Sequence, residues 1–169
     1  MASRLFYDPV VLLRVAPLVS STCTLLYAAD QDFFLGILNQ SKHDIRAKSR
    51  SLLPSYFATF FRRGVVFVVG CLAATTWSSV ANLYVRRQAL VARQSGWWYV
   101  ASGALSIGHL FFIPLIAPSV KATIDADKEG ADANASLDKW LQINRIRMLT
   151  VDLAAWIASV GAVVSTLAA

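Results

Sequence analysis

GWWYVASGALSIGHLFFIPLIAP, residues 96–118, decides the fold: it is apolar and long enough to cross a bilayer, yet it carries one titratable group, His109. A helix rising 1.5 Å per residue needs about 20 residues to cross a hydrocarbon core of ~30 Å. On that helix Ser102, Ser106 and His109 fall at i, i+4 and i+7 and share one stripe, which in lipid has to face protein. Pro114 has no N–H to give the carbonyl of Leu110, so a kink is predicted there, with a free acceptor beside the imidazole. Ionisable residues inside a membrane are costly and are functional candidates by default. The alternative is a histidine that only bonds a neighbouring helix.

Three further apolar blocks of about the same length flank this one, and together they predict an all-α integral membrane four-helix bundle. The expected spans are about 9–29, 64–85, 97–118 and 148–168, in one domain covering 1–169, with a long last helix extending outside the bilayer. Of the 169 residues 56% are hydrophobic and only 15% charged, where an ordinary soluble domain averages roughly 25% charged. The net charge of +6 sits in the connections, where Lys and Arg anchor spans to lipid headgroups, which argues against nucleic acid as a partner. Cys23 and Cys71 fall on different spans without a CxxC, so neither a disulfide framework nor a redox pair is expected. The segment MASRLFYDPV lacks the pattern of a cleaved signal, which leaves the first span to direct insertion.

In span one, Arg14 lies about 7 Å inside the membrane end and is expected to snorkel to the headgroups, while Ser20 to Thr24 offer close helix contact. Residues 30–63 form a large connection on a face designated side B, ending in an interfacial helix rich in Phe and Arg; His43 is expected there as a solvated loop residue. Span two carries Thr75, Ser79 and Asn82 as a second polar stripe, read as helix contact. A short turn on side A leads to Trp97, Trp98 and Tyr99, an aromatic belt. The connection 119–135 carries Asp125, Asp127, Glu129 and Asp132, but the spacing lacks the glycine and terminal glutamate of a calcium loop, so no metal is expected. Ser136 is the expected cap of the last helix, with Asp138 in its first turn.

On that helix Trp140, Asn144 and Arg147 share one stripe, and Arg145, Asp152, Trp156 and Ser159 another. Asp152 lies just inside the span, where a carboxylate has to be paired, protonated or wet; Arg145 or another arginine of side B is the expected partner. Counted from side B, His109 lies about 13 Å deep and Asp152 about 7 Å, so one cavity can hold both. It is expected to open toward the side B loops, with Arg145 and Arg147 at its mouth and walls from Phe111, Phe112, Trp156 and Phe60 or Phe61. A mostly apolar pocket of this kind suits a flat hydrophobic ligand.

The order of features resembles the anthrone oxygenases, small fungal membrane proteins of aromatic polyketide pathways. The likeness rests on four spans in about 170 residues, SYFATFFRRG before span two, HLFFIPLIAP ending span three, and a Trp-x3-His-x2-Arg-like pattern that here reads Trp140, Asn144, Arg147. The family commonly has histidine where this chain has Asn144. The resemblance implies an endomembrane oxygenase, as in the endoplasmic reticulum, that inserts oxygen from O2 into an anthrone-like phenolic without metal, flavin or haem. In that scheme His109 is the base, Arg147 and Asp152 complete the catalytic group, and Trp140, Asn144, Arg145, Phe112 and Trp156 hold the substrate.

The competing reading is a non-enzymatic four-span scaffold or assembly partner, in either case with the bilayer around it and homo-oligomers open to it. Export by paired subunits is weaker, because the charged group in span one is Arg14 rather than a carboxylate. For orientation, side B holds eleven basic residues (Lys42, Arg46, Lys48, Arg50, Arg62, Arg63, Lys121, Lys128, Lys139, Arg145, Arg147) against four on side A (Arg4, Arg86, Arg87, Arg93), which predicts cytoplasmic side B loops. Two glycosylation sequons, at Asn39 and Asn134, lie on side B and offer a test of that orientation.

Overall fold

A computed structural model describes residues 8–40, 44–85 and 87–167; the expectations for Arg4, Lys42, His43 and Arg86 lie outside them. Four helices long and apolar enough to cross a membrane make this an integral membrane protein: Pro9–Leu38 (α1), Leu53–Tyr84 (α3), Gly96–Ile124 and Ala133–Leu167. The third is α5 (Gly96–Gly108), a 3-10 turn (His109–Phe112) and α6 (Ile113–Ile124); the fourth is α8 (Ala133–Arg147), a π turn (Met148–Asp152) and α9 (Leu153–Leu167). Short helices Ile45–Ser49 (α2), Arg87–Ala92 (α4) and Ala126–Glu129 (α7) fill the connections, and no strand occurs among the described residues.

The helices run 30, 32, 29 and 35 residues, so every one of them outruns the ~20 that a bilayer needs. Not only the last helix but also α1 and α6 therefore continue on side B, where loops were expected, and the expected interfacial helix before span two is the first part of α3. Their ends bury a second apolar core made of Leu35, Leu53, Phe57, Val120, Leu137 and Trp140. The fourth helix starts four residues earlier than expected: Asp132, not Ser136, is its cap, accepting from Asn134 N–H at 3.0 Å. Asp138, freed from any capping role, pairs with Arg46 at 2.7 Å.

The two sequon asparagines tie this end together. Asn134 Nδ2 donates to Asn39 Oδ1 at 2.6 Å, and Asn39 Nδ2 donates back to the Asn134 carbonyl at 2.9 Å. They are 5% and 2% exposed, so a missing glycan at either position carries no information about which face is cytoplasmic.

Side A is held by a buried arginine. Arg14 does not reach for headgroups; it is 3% exposed and donates to Asn82 Oδ1 (3.0 Å), the Asn82 carbonyl (3.2 Å) and the Val85 carbonyl (2.8 Å). The last carbonyls of α3 have no partner within their own helix and lie at its negative end, so a guanidinium fork satisfies them better than water can inside a bilayer. Pro17 adds the reciprocal bond: it cannot give an N–H to the carbonyl of Leu13, and Asn82 Nδ2 supplies one at 2.7 Å. Below this clamp the polar stripes meet as helix contacts, Ser20 with Thr75 (2.7 Å) and Ser102 with Ser159 (2.7 Å). Close approach also depends on Gly161, where a Cβ would stand 2.7 Å from the Trp98 indole.

Two outcomes follow for stability. Arg14→Met strands the three acceptors and is expected to cost about 2–4 kcal/mol in thermal or denaturant unfolding, since removing one partner of a buried charged group exposes the desolvation cost of the rest. A snorkelling arginine would cost under about 0.5 kcal/mol. Gly161→Ala is expected to cost about 1–3 kcal/mol, because the rigid indole has to move as a body; an unchanged melting temperature would show that α5 and α9 are not packed there.

Candidate functional site

Midway along the third helix the chain changes pitch. The expected free carbonyl of Leu110 is not left free: the 3-10 turn lets Ile113 N–H reach it, and Pro114 then opens α6 at a position where its missing N–H costs nothing. The turn begins at His109, whose side chain is buried together with Ser102 and Ser106.

The fourth helix changes pitch in the opposite sense at the facing level. In a straight α-helix Arg147 and Asp152, five residues apart, would point about 140° away from each other. The π turn, closed by Leu153 N–H on the Met148 carbonyl, brings residues five apart into line. Arg147 Nε accordingly donates to Asp152 Oδ2 at 3.2 Å, and Arg147 Nη2 donates to Asn144 Oδ1 at 2.6 Å. Asn144 is anchored in turn, its Nδ2 donating to the Ala28 carbonyl of α1 at 3.1 Å.

Asp152 Oδ1 meets His109 Nδ1 at 2.7 Å, which joins the third and fourth helices. The carboxylate thus has a basic partner on each oxygen, and its side chain is 2% exposed. In the tautomer whose Nδ1–H donates to Asp152 the lone pair lies on Nε2, the arrangement in which a carboxylate orients a histidine for proton transfer.

His109 and Arg147 line a cavity of about 540 Å³, within the usual size range of small-molecule sites. Its wall is apolar: Phe61, Val65, Val68, Val69 and Leu72 from α3 face Leu110, Ile113, Ile116, Ala117 and Val120 from the third helix. Val65, Val69, Leu110 and Ile113 are also exposed on the outer surface. The cavity therefore opens sideways between the second and third long helices, and its lining reaches Lys121 and Asp125 at the side B end.

Of the expected site residues, His109, Arg147 and Trp140 line this cavity, and Asn144 and Asp152 stand directly behind them. Arg145 does not: it is exposed and pairs with Asp32 at 3.0 Å, so Asp152 is left to His109 and Arg147. Trp156 bonds Thr22 Oγ1 at 3.0 Å in the α1 interface, Phe112 is half-buried away from the cavity, and Phe111 faces outward. Gln31 of α1 lines the cavity and had no signal in the sequence beyond being polar in an apolar helix. No group of three His, Cys, Asp or Glu side chains comes together among the described residues as metal ligands would.

The chain of bonds from Ala28 to His109 predicts the effect of a conservative change. Arg147→Lys can hold either Asp152 or Asn144 but not both, and is expected to lower stability by about 1–3 kcal/mol while leaving membrane insertion intact. Melting curves in detergent check this, and wild-type stability for the lysine variant would reduce the role of Arg147 to charge alone.

No protein-family model matches the chain, and no solved structure matches it. Among characterised sequences it is 31% identical to epoxidase gkaX of Penicillium citrinum over 92% of this chain and 95% of that protein. It is 28% identical to epoxidase pydX of an Acremonium species, over 94% and 96% of the two chains. Oxaleimides biosynthesis cluster protein N of Penicillium oxalicum is 24% identical over 93% and 90%. At these identities along nearly the whole length, with four apolar helices, the chain belongs to the family of small fungal proteins represented by the epoxidases gkaX and pydX.

Proposed function

We propose that this chain is a membrane-embedded oxygenase of secondary metabolism that introduces oxygen from O2 into a hydrophobic substrate, with His109 as its general base. One observation carries the reading: a buried histidine, bonded to a carboxylate through Nδ1, lines an apolar cavity that opens toward lipid. The names of the relatives, epoxidases and a biosynthesis cluster protein, support the oxygenase class and the setting.

His109 Nε2 takes a proton from the substrate, Asp152 stabilises the imidazolium that forms, and Arg147 beside it favours the substrate anion. For an anthrone-like methylene the balance closes on O2 alone: CH2 + O2 gives C=O + H2O, with His109 returning the proton to the departing oxygen. Epoxidation of an alkene does not close in this way, because C=C + O2 requires two further electrons and two protons to give the epoxide and water. In that case His109 delivers protons and a reductant of another source supplies the electrons.

The scaffold reading draws on the serine and Arg14 contacts of side A, which do glue helices together. It gives no account of the cavity or of the groups that face it on side B.

Two measurements test the proposal. Purified protein in lipid nanodiscs is offered an anthrone under air, with and without an added reductant; turnover without reductant marks the methylene oxidation, and turnover of an alkene substrate only with reductant marks the epoxidase type. In whichever assay is active, His109→Gln is expected to lower product formation by about 10²- to 10⁴-fold with insertion unchanged. Full turnover by the Gln variant would remove His109 from the chemistry.

A further inference from the structure

Cys23 and Cys71 are the two cysteines of the chain, and the oxygen chemistry proposed above uses neither. The expectation that they do not pair rested on their falling on different spans; the packing of those spans puts them side by side. Helices α1 and α3 run antiparallel, with Arg14 against Asn82 (3.0 Å), Ser20 against Thr75 (2.7 Å) and Tyr27 against Phe67 (ring centroids 5.0 Å apart). Cys23 lies three residues beyond Ser20 on α1 and Cys71 four residues before Thr75 on α3, about 4.5 and 6 Å along the two helices toward side B. The two cysteines therefore occupy the rung between the Ser20 and Tyr27 contacts.

They also face the same way. Both are half-buried and line one shallow groove on the outer surface of the α1 and α3 pair, with Ala16, Ser20, Gly70 and Ala74, whose small side chains let the two backbones come close. The Cys71 side chain shares a hydrogen bond with Thr24, the residue after Cys23, and lies within electrostatic reach of Cys23 itself.

We propose that Cys23 and Cys71 are a reversible dithiol and disulfide pair: two S–H bonds break, one S–S bond forms between α1 and α3, and two protons and two electrons pass to a lipid-soluble oxidant. A disulfide needs Cα atoms within about 7 Å, a spacing reached where small residues face each other across two helices. The groove selects the oxidant. Thiols in apolar surroundings stay protonated, and since the thiolate is the attacking species they exchange slowly with disulfides dissolved in water. A neutral oxidant carried in the bilayer meets them directly. The bond braces α3 against α1 beside Val68 and Leu72, which wall the cavity on the same helix.

The pairing does not depend on the oxygenase reading, and its test uses no substrate. The full chain in lipid nanodiscs is treated with oxidant, denatured, and its remaining thiols are counted with a maleimide of resolvable mass. Because there are two cysteines, an internal disulfide can only be this one, and an intermolecular one appears as a dimer. One equivalent of iodine, which partitions into lipid (2 RSH + I2 gives RSSR + 2 HI), is expected to remove both thiols together from the monomer, and dithiothreitol to restore both. The oxidised form is expected to unfold roughly 5–15 °C higher than the reduced one. Tetrathionate, charged and confined to water, is expected to leave both thiols free over the same time. Leu26, exposed and outside the groove, supplies the control: with Cys23→Ser and Leu26→Cys combined, iodine is expected to give no internal bond. Retention of both thiols in iodine, their loss only as dimers, equal reaction with tetrathionate, an unmoved midpoint, or an internal bond formed as fast from position 26 overturns the proposal. The wild-type arms need no variant to fold, so they decide even where the control does not insert.

Discussion

A single buried carboxylate sets the terms for the side B half of the molecule. Taking Asp152 out of water costs several kcal/mol unless its oxygens are met by cations or good donors, and neighbouring side chains on a straight helix do not deliver them. The π turn delivers one, by bringing Arg147 into line; the third helix delivers the other, in His109. Arg147 then brings its own demand for acceptors, met by Asn144, and Asn144 is fixed by a backbone carbonyl of α1. One carboxyl group thus links three of the four long helices through five residues, all nearly excluded from solvent.

This dependence has a functional reading. A histidine meant to move protons needs a fixed tautomer and a fixed direction, and a carboxylate on Nδ1 provides both. The bond to His109 also meets the second oxygen of the buried carboxylate, so stability and the direction of the imidazole draw on one contact. The rest of the protein supports this placement without sharing in it. On side A, Arg14, Asn82 and the serine contacts lock α1, α3, α5 and α9 into a packed bundle, and the cavity begins where that packing ends.

Much of the fold was legible because it follows from composition and period. Four apolar blocks, the stripe of Ser102, Ser106 and His109, and the stripe of Trp140, Asn144 and Arg147 need only the 3.6-residue repeat and the length of a span. What was not legible breaks that repeat or depends on a partner. Arg145 lies on the same α-helical stripe as Asp152 and was the natural partner by period; the π turn gives that place to Arg147, and nothing in MLTVD announces such a turn. Arg14 looked shallow enough to reach headgroups, but depth in one helix does not reveal that the frayed end of another lies alongside. Pro17 and Asn82 are individually visible, yet their complementarity, a lost donor answered by a side-chain amide 65 residues later, exists only once α1 and α3 are packed. Gln31 carried no pattern at all, and its place on the cavity wall depends on how α1 packs against the other helices.

The two departures from α-helical pitch are better understood together than singly. The 3-10 turn at His109 tightens the third helix, the π turn ending at Asp152 widens the fourth, and the two residues that bound these turns are the pair in contact. Each departure costs backbone energy that regular helix would not, and such costs persist where the surroundings over-determine them. Here the surroundings gain a salt-bridged carboxylate and a directed imidazole in return, at the inner end of a cavity whose other walls are plain α-helix. A scaffold needing only close helix contact would lose nothing by straightening both helices and filling the space with leucine. Both helices keep α pitch on either side of this level, so the two departures fall together at the contact between His109 and Asp152.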